Sequence, residues 1–436
     1  MTARRFNTRD KGFDEAFAAF LTEPRGAPED VAESVREILN DVRAHGGAAV
    51  AEYTAKFDRL TLDPTLLTSD NVDLTVLSAG CPQDLRDAID FAADRIAAYH
   101  EAQKPSDHRF SDEAGVELGW RWTPLDSVGV YVPGGLASYP SSVLMNVIPA
   151  KIAGVERIVM TAPAPGGQLS NAVAYAALKA GVDEFYPIGG AQAVGALAFG
   201  AGRLTRVDKV VGPGNAYVAE AKRQVFGHIG IDTIAGPSEI CVIAEPDQEA
   251  AWVAADLLSQ AEHDSSSQSI LITTDEAFAD AVGAEIKHQL GALTTEARAR
   301  ESWSGHGALV VAGDLAEAID VANRIAPEHL LLAVADPEAQ LPAIKHAGAV
   351  FLGSWTPEAL GDYVTGSNHV LPTSQAARFS SGLGLTDFMK RMSIQKAGPE
   401  GFNALAAAAL RLAEAEGLPA HGRSISIRMG ERGGDG

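Results

Sequence analysis

The sequence predicts an α/β fold built from two doubly wound, Rossmann-like parallel-sheet domains, with N-terminal helices and a C-terminal helix and tail. Three observations predict it. Short apolar runs end in Gly/Pro loops and lead into Ala-rich helical stretches, the β-α alternation of a parallel sheet. The same rhythm occurs twice along the chain. Amphipathic helical stretches stand before the first series and after the second.

Taken in order, "PEDVAESVREILNDVRAHGG" places Val31, Val35, Ile38, Leu39 and Val42 at helical spacing, and Gly46 and Gly47 stop the pattern. "QDLRDAIDFAADRIAAYHEAQKP" is a longer amphipathic helix ended by Pro105. The runs "VGVYV", "RIVMTA", "DEFYPI" and "VDKVV" then read as buried strands, followed by the loops "PGG", "PAPGG", "GGAQ" and "GPGN". The second series comprises "SEICVIAE", "SQSILITTD", "GALVVAG", "LLLAVAD" and "AGAVFLGS". A duplicated unit is suggested, although no repeat in the sequence proves it.

The closing segment from "GPEGFNALAAAALRLAEAEG" reads as one helix, closed by Gly417 and Pro419, then an extended tail whose final "GERGGDG" is expected to be disordered. A lone helix and tail build no core, so this segment is expected to dock on the body or on another subunit. The expected division is an N-terminal helical arm over 1–28, a discontinuous α/β domain over 29–128 and 238–378, an inserted Rossmann-like domain over 129–237, and the C-terminal helix and tail over 379–436.

Asp plus Glu outnumber Lys plus Arg by 57 to 35, and a formal charge of -22 repels phosphate backbones and anionic lipid surfaces. Neither nucleic acid nor a membrane is expected as a partner. Cys81 and Cys241 lie far apart without a CxxC pattern, which fits a reducing cytoplasm. The N-terminus lacks an apolar run after its two arginines, and no apolar run of membrane-spanning length follows.

The chemistry-bearing residues cluster in a few loops. "DLLSQAEHD" puts Gln260 and His263 three apart on one helical face, able to address one ion. Alone, the pair reads better as a polar helix terminus, since such ends are common. "RIAPEHLLL" sets Glu328 and His329 side by side before an apolar strand, as an acid/base pair or as a solvated pair. "GDYVTGSNHVLPT" adds Asp362, Asn368 and His369 beyond the strand "AGAVFLGS", near the carboxyl end where open α/β sheets bind ligands. His421 lies past the last helix with Glu416 near that helix's end, and by itself it reads as a solvent-facing loop histidine.

Gln, two His and one Asp form a plausible mixed N/O metal set, with zinc, Mn or Co all conceivable. A G-x-G-x-x-G fingerprint is absent, because "VVGPGNAY" has Tyr217 where the third Gly belongs. That loop can bring amides to a phosphate or be a plain β-α turn.

"IDTIAGPSEICVIAE" running on to "ADLLSQAEHD" closely resembles the signature segment of the histidinol dehydrogenase family. "VGVYVPGG", "VGPGNAYVAEAKRQV", "NRIAPEHL", "GDYVTGSNHVLPT" and "EGLPAHGRS" resemble the same family in the same order, so the resemblance covers nearly the whole chain. It implies NAD-dependent oxidation of L-histidinol through L-histidinaldehyde to L-histidine, the last two steps of histidine biosynthesis, in a symmetric homodimer that exchanges its C-terminal segment and shares its active sites.

By motif position the resemblance makes Gln260, His263, Asp362 and His421 the ligands of one zinc per site, and Glu328 and His329 the acid/base pair. These six would surround the substrate together with Ser238, His369 and Glu416, while Tyr131, Gln192 and Asn215 would contact the dinucleotide. Zinc would position the substrate through its amino group and imidazole. One departure, Leu331 where the family more often has an acidic residue, touches none of these assignments.

Two other functions compete with this expectation. One is a zinc hydrolase with Glu328 as general base on a metal-bound water; the other is a non-catalytic two-lobed binding protein. An absorbance rise at the NADH wavelength on adding histidinol and NAD separates the dehydrogenase from both.

Overall fold

Parallel pairing of fully buried strands dominates the computed structural model, which describes residues 3–25, 31–69, 72–134, 139–234 and 236–430. The final residues expected to be disordered lie almost wholly outside that range. In chain order the strands are β1 Arg4–Asn7, β2 His108–Ser111, β3 Val116–Pro124, β4 Ser127–Tyr131, β5 Arg157–Thr161, β6 Glu184–Tyr186, β7 Lys209–Val211, β8 Gly230–Ile231, β9 Glu239–Ala244, β10 Gln268–Thr273, β11 Ala308–Val311, β12 His329–Ala333, β13 Ala349–Leu352 and β14 Met389–Ala397. Every apolar run read from the sequence as a strand overlaps one of these.

The strands β4 to β8 form a five-stranded parallel sheet ordered β6-β5-β4-β7-β8, and β1 with β9 to β13 form a six-stranded parallel sheet ordered β1-β11-β10-β9-β12-β13. Leaving β1 aside, both sheets place their five strands in the same third-second-first-fourth-fifth order. The suspected duplication is therefore visible in topology. In each case the order reverses beside the first strand, between β4 and β7 and between β9 and β12.

Alternation within a strand explains why both faces are covered. In the larger sheet Ile240, Val242, Leu271 and Leu331 face helices Ala250–Ala261 and Glu276–Leu290. Cys241, Ile243, Ile270 and Leu332 face the opposite way, onto Phe13, Phe17 and Phe20 and the helix Leu315–Ile325. Each such buried apolar side chain contributes about 1.5–3 kcal/mol. The N-terminal arm is thus more than helical: β1 pairs in parallel with β11, and the helix Phe13–Thr22 seals one face with its three phenylalanines.

Helices Val31–His45 and Gly47–Asp58 pack against the smaller sheet, sharing a core with Val159, Tyr186, Val194 and Val210. The segment 29–128, expected with the larger sheet, is therefore grouped differently, because the apolar stripe of Val35, Leu39 and Val42 matches the helices over β4 to β8. Residues 104–124 leave both sheets and belong with 389–436 to a second compact unit.

In that unit β14, β3 and β2 form an antiparallel sheet, with β3 and β14 paired from Val116↔Ala397 to Pro124↔Met389. Helix Pro399–Ala415 follows. The expected extended tail is instead a second helix, Pro419–Ser426, and a short 3-10 turn. Pro419 sits in the first turn, where its missing N–H and fixed φ favour helix initiation, so it starts a helix as well as following one. Among the described residues no helix is long and apolar enough to cross a membrane.

Candidate active site

The acid/base candidates meet at the amino end of the larger sheet. His329 is the first residue of β12 and Glu239 the first of β9, with His329 in register with Ile240. Glu328 and His329 are both buried, at 7% and 4% exposure. His329 Nδ1 lies 2.8 Å from the Glu239 carbonyl oxygen. A carbonyl can only accept, so Nδ1 carries the proton and Nε2 presents its lone pair. The Gln260 amide nitrogen also lies 3.0 Å from Nδ1 at the end of helix Ala250–Ala261, but two donors do not bond, so the Glu239 carbonyl alone takes that proton.

Glu328 Oε2 accepts the Glu239 N–H at 2.9 Å and lies 3.6 Å from His329 Nδ1. Burial pushes the Glu328 carboxyl well above the usual carboxylate range, against that hydrogen bond, and lowers the His329 imidazole.

On the far side of the ring, His329 Nε2 is 3.7 Å from Glu358 Oε1 and 3.9 Å from Asp362 Oδ1. Burial, and then the charge of Glu358, push Asp362 well above its ordinary value. His369 donates Nδ1–H to the Asp362 carbonyl at 2.9 Å, and burial pushes its imidazole down to about 4. His263 is exposed, two residues beyond the end of helix Ala250–Ala261 that carries Gln260.

The sequence placed Asp362 and His369 near a carboxyl end, and the structure corrects this. They lie ten and seventeen residues beyond the end of β13 at Leu352, and helix Glu358–Tyr363 carries Asp362 back to the amino-end pair. Glu358 was not foreseen. Its signal was available, since Glu358 and Asp362 are four apart and share a helical face. His329, Glu358 and Asp362 each offer one donor atom within 4.8 Å of the others.

That trio shares only Asp362 with the expected ligand set. The donor chemistry nonetheless fits a cation: the buried carboxyls of Glu328 and Glu358 and the half-buried one of Asp362 crowd one imidazole, and Gln260 Oε1 and Glu358 Oε1 have no hydrogen-bond partner among the described residues. Ser238 immediately precedes Glu239. Glu416 and His421 are exposed in the second unit, His421 within the helix Pro419–Ser426.

The dinucleotide candidates gather at the carboxyl end of the smaller sheet. Tyr131 ends β4, and its hydroxyl accepts the Gly190 N–H at 3.1 Å. Burial pushes that hydroxyl up to about 12, so it stays protonated. Gln192 is buried in the first turn of the next helix, its Oε1 without a hydrogen-bond partner among the described residues. Asn215 caps helix Ala216–Val225 by accepting from Tyr217 and Val218 N–H. Tyr131 and Asn215 thereby flank the β4/β7 reversal, where such sheets open a crevice.

The "GPGN" loop is fixed from below. Gly212 has φ of 110°, and a Cβ there would lie 2.1 Å from the Tyr131 carbonyl oxygen. Its N–H donates to Asp232 at 2.7 Å and its C=O accepts from Lys222 at 3.0 Å, while Lys222 and Asp232 form a buried ion pair. Only glycine fits this position.

Comparison with known proteins identifies the family. The profile of the family described as histidinol dehydrogenase matches residues 21–429. The chain is 55% identical over 435 residues to a histidinol dehydrogenase of Rhizobium meliloti, covering 99% of this chain and 100% of that one. A counterpart from Cereibacter sphaeroides is 55% identical, with 97% and 98% covered. The crystal structure of histidinol dehydrogenase from Elizabethkingia anophelis superposes with a TM-score of 0.92 at 35% identity, covering 98% of each chain.

Proposed function

The chain belongs to the histidinol dehydrogenase family of histidine biosynthesis, and from that membership we propose that it oxidises L-histidinol through L-histidinaldehyde to L-histidine in two NAD-linked steps. The observation that carries the reading is the His329 ring, whose Nδ1–H is held by Glu239 while its buried Nε2 lone pair is free of hydrogen bonds.

His329 takes the hydroxyl proton of the alcohol at Nε2, the ring nitrogen whose lone pair burial keeps unprotonated. Glu328, with its raised pKa, takes a proton from the water that adds to the aldehyde. NAD+, when bound, would accept one hydride in each oxidation, so one histidinol, one water and two NAD+ give histidine, two NADH and three protons. Tyr131, Gln192 and Asn215 hold the dinucleotide, with the Gly212 loop giving its backbone close approach.

Gln260, His263, Asp362 and the His421 of a second subunit would hold one zinc, which when bound anchors the amino and imidazole nitrogens of the substrate. Ser238, His369 and Glu416 add contacts to that substrate. Support for a homodimer with shared sites comes from the second unit, whose helices expose Leu405, Leu412, Leu418 and Ile427. Free, buried Cys81 and Cys241 fit a cytoplasmic enzyme.

Stoichiometry tests the reaction. Two NADH per histidinol with histidine as product supports it, whereas one NADH with free aldehyde overturns the second step. Refolding His421→Asn chains together with His329→Asn chains tests the sharing: roughly a quarter of sites should recover activity. Mixed dimers without recovery contradict it.

A further inference from the structure

Glu239 makes its hydrogen bonds to the acid/base pair through its backbone. Its N–H donates to Glu328 Oε2 at 2.9 Å and its C=O accepts from His329 Nδ1 at 2.8 Å. One peptide position thus orients the carboxylate and fixes the tautomer of the imidazole.

The side chain of Glu239 is anchored elsewhere. Its Oε1 accepts the Ser374 N–H at 3.1 Å and pairs with the guanidinium of Arg25. The Arg25 and Glu239 side chains are only 9% and 5% exposed, so the pair is buried. Ser374 and Gln375 hold φ of 54° and 64°, a left-handed backbone that non-glycine residues keep only where surrounding contacts enforce it.

Arg25 follows helix Phe13–Thr22 in the N-terminal arm, which β1 and the three phenylalanines fasten to the sheet far from the catalytic loops in sequence. We propose that Arg25 is a positioning residue for the acid/base pair, acting through the Glu239 side chain on the Glu239 peptide that both members grip. The inference rests on the assignment of Glu328 and His329 as that pair. Without Arg25 the buried Glu239 carboxylate loses its counter-charge and must protonate or swing away, carrying its backbone with it. Displacements of about 1 Å near reacting groups cost up to about 100-fold in rate.

The test compares zinc-loaded wild-type enzyme with Arg25→Ala and Arg25→Lys, following NADH from histidinol. Arg25→Ala should lower kcat on the order of 10- to 100-fold while KM for histidinol and bound zinc change less than about twofold. Arg25→Lys, which restores the charge, should recover much of kcat. Added guanidinium ion at low millimolar concentration should also rescue Arg25→Ala, since Arg25 and Glu239 line a cavity of about 220 Å³ with Leu21, Gln268 and Ile325. A merely structural role would lower the melting temperature, leave kcat per folded site unchanged and give no such rescue.

Wild-type kcat in Arg25→Ala, or a loss that neither Lys nor guanidinium repairs, overturns the proposal. Should Arg25→Ala fail to fold, Glu239→Gln reads the same linkage, with a reduced kcat supporting it and wild-type kcat overturning it. Wild-type enzyme that makes no NADH from histidinol would sink the proposed function itself, whereas active wild type with indifferent variants sinks only the role of Arg25.

Discussion

The two parallel sheets share one strand order but present opposite ends to chemistry. In the smaller sheet the candidate dinucleotide residues lie at the carboxyl ends of β4 and β7, where Gly-rich loops open the crevice. In the larger sheet the acid/base pair lies at the amino ends of β9 and β12. Some helix caps differ between the sheets, although the helix after β9 has no side-chain cap and the helix after β7 has one. Beyond β10 and β11, Asp275 and Asp314 cap the next helices with their own carboxylates, supplying negative charge where an anion would otherwise bind. Helix Gly190–Phe199 of the smaller sheet has Gly189 at that place and no side-chain cap. Strand order locates the crevice laterally, and loop chemistry decides which end is used.

The largest expected effect strikes the amino end. His329→Asn should lower kcat by about 10²- to 10⁴-fold with little change in KM for NAD, measured by steady-state NADH formation. Comparable rises in KM for NAD would join the two ends that the account keeps apart. His263→Asn should lose bound metal and activity together, as read by metal analysis of the purified protein, and unchanged metal would remove His263 from the ligand set.

Gly212→Ala strikes the carboxyl end. The new Cβ must displace the Tyr131 carbonyl or the loop, so KM for NAD should rise on the order of 10-fold or more with metal content unchanged. Gln192→Ala should have the smallest effect, weakening NAD by roughly 2- to 10-fold, the worth of one buried hydrogen bond. A wild-type KM for NAD in Gln192→Ala would remove that side chain from the cofactor contacts.

The sheets were legible in the sequence because buried parallel strands write continuous Val, Ile and Leu runs, as in "SEICVIAE" and "SQSILITTD". The end used by the catalytic site was not, because it depends on where the chain returns after β13, and no local pattern encodes that return. Glu358 could have been found from its four-residue spacing to Asp362. Glu239 acts through main-chain atoms, and Arg25 through Glu239, so neither residue type announces its role. The helix Pro419–Ser426 was missed because proline both ends and begins helices, and Gly417 just before it favoured the first reading.

NAD binding to His329→Asn, measured by calorimetry on the zinc-loaded protein, tests most directly whether the two ends act separately. The account predicts wild-type affinity for NAD in a protein that no longer turns over histidinol. Loss of NAD affinity in step with turnover, in a variant that remains folded and zinc-loaded, would contradict it.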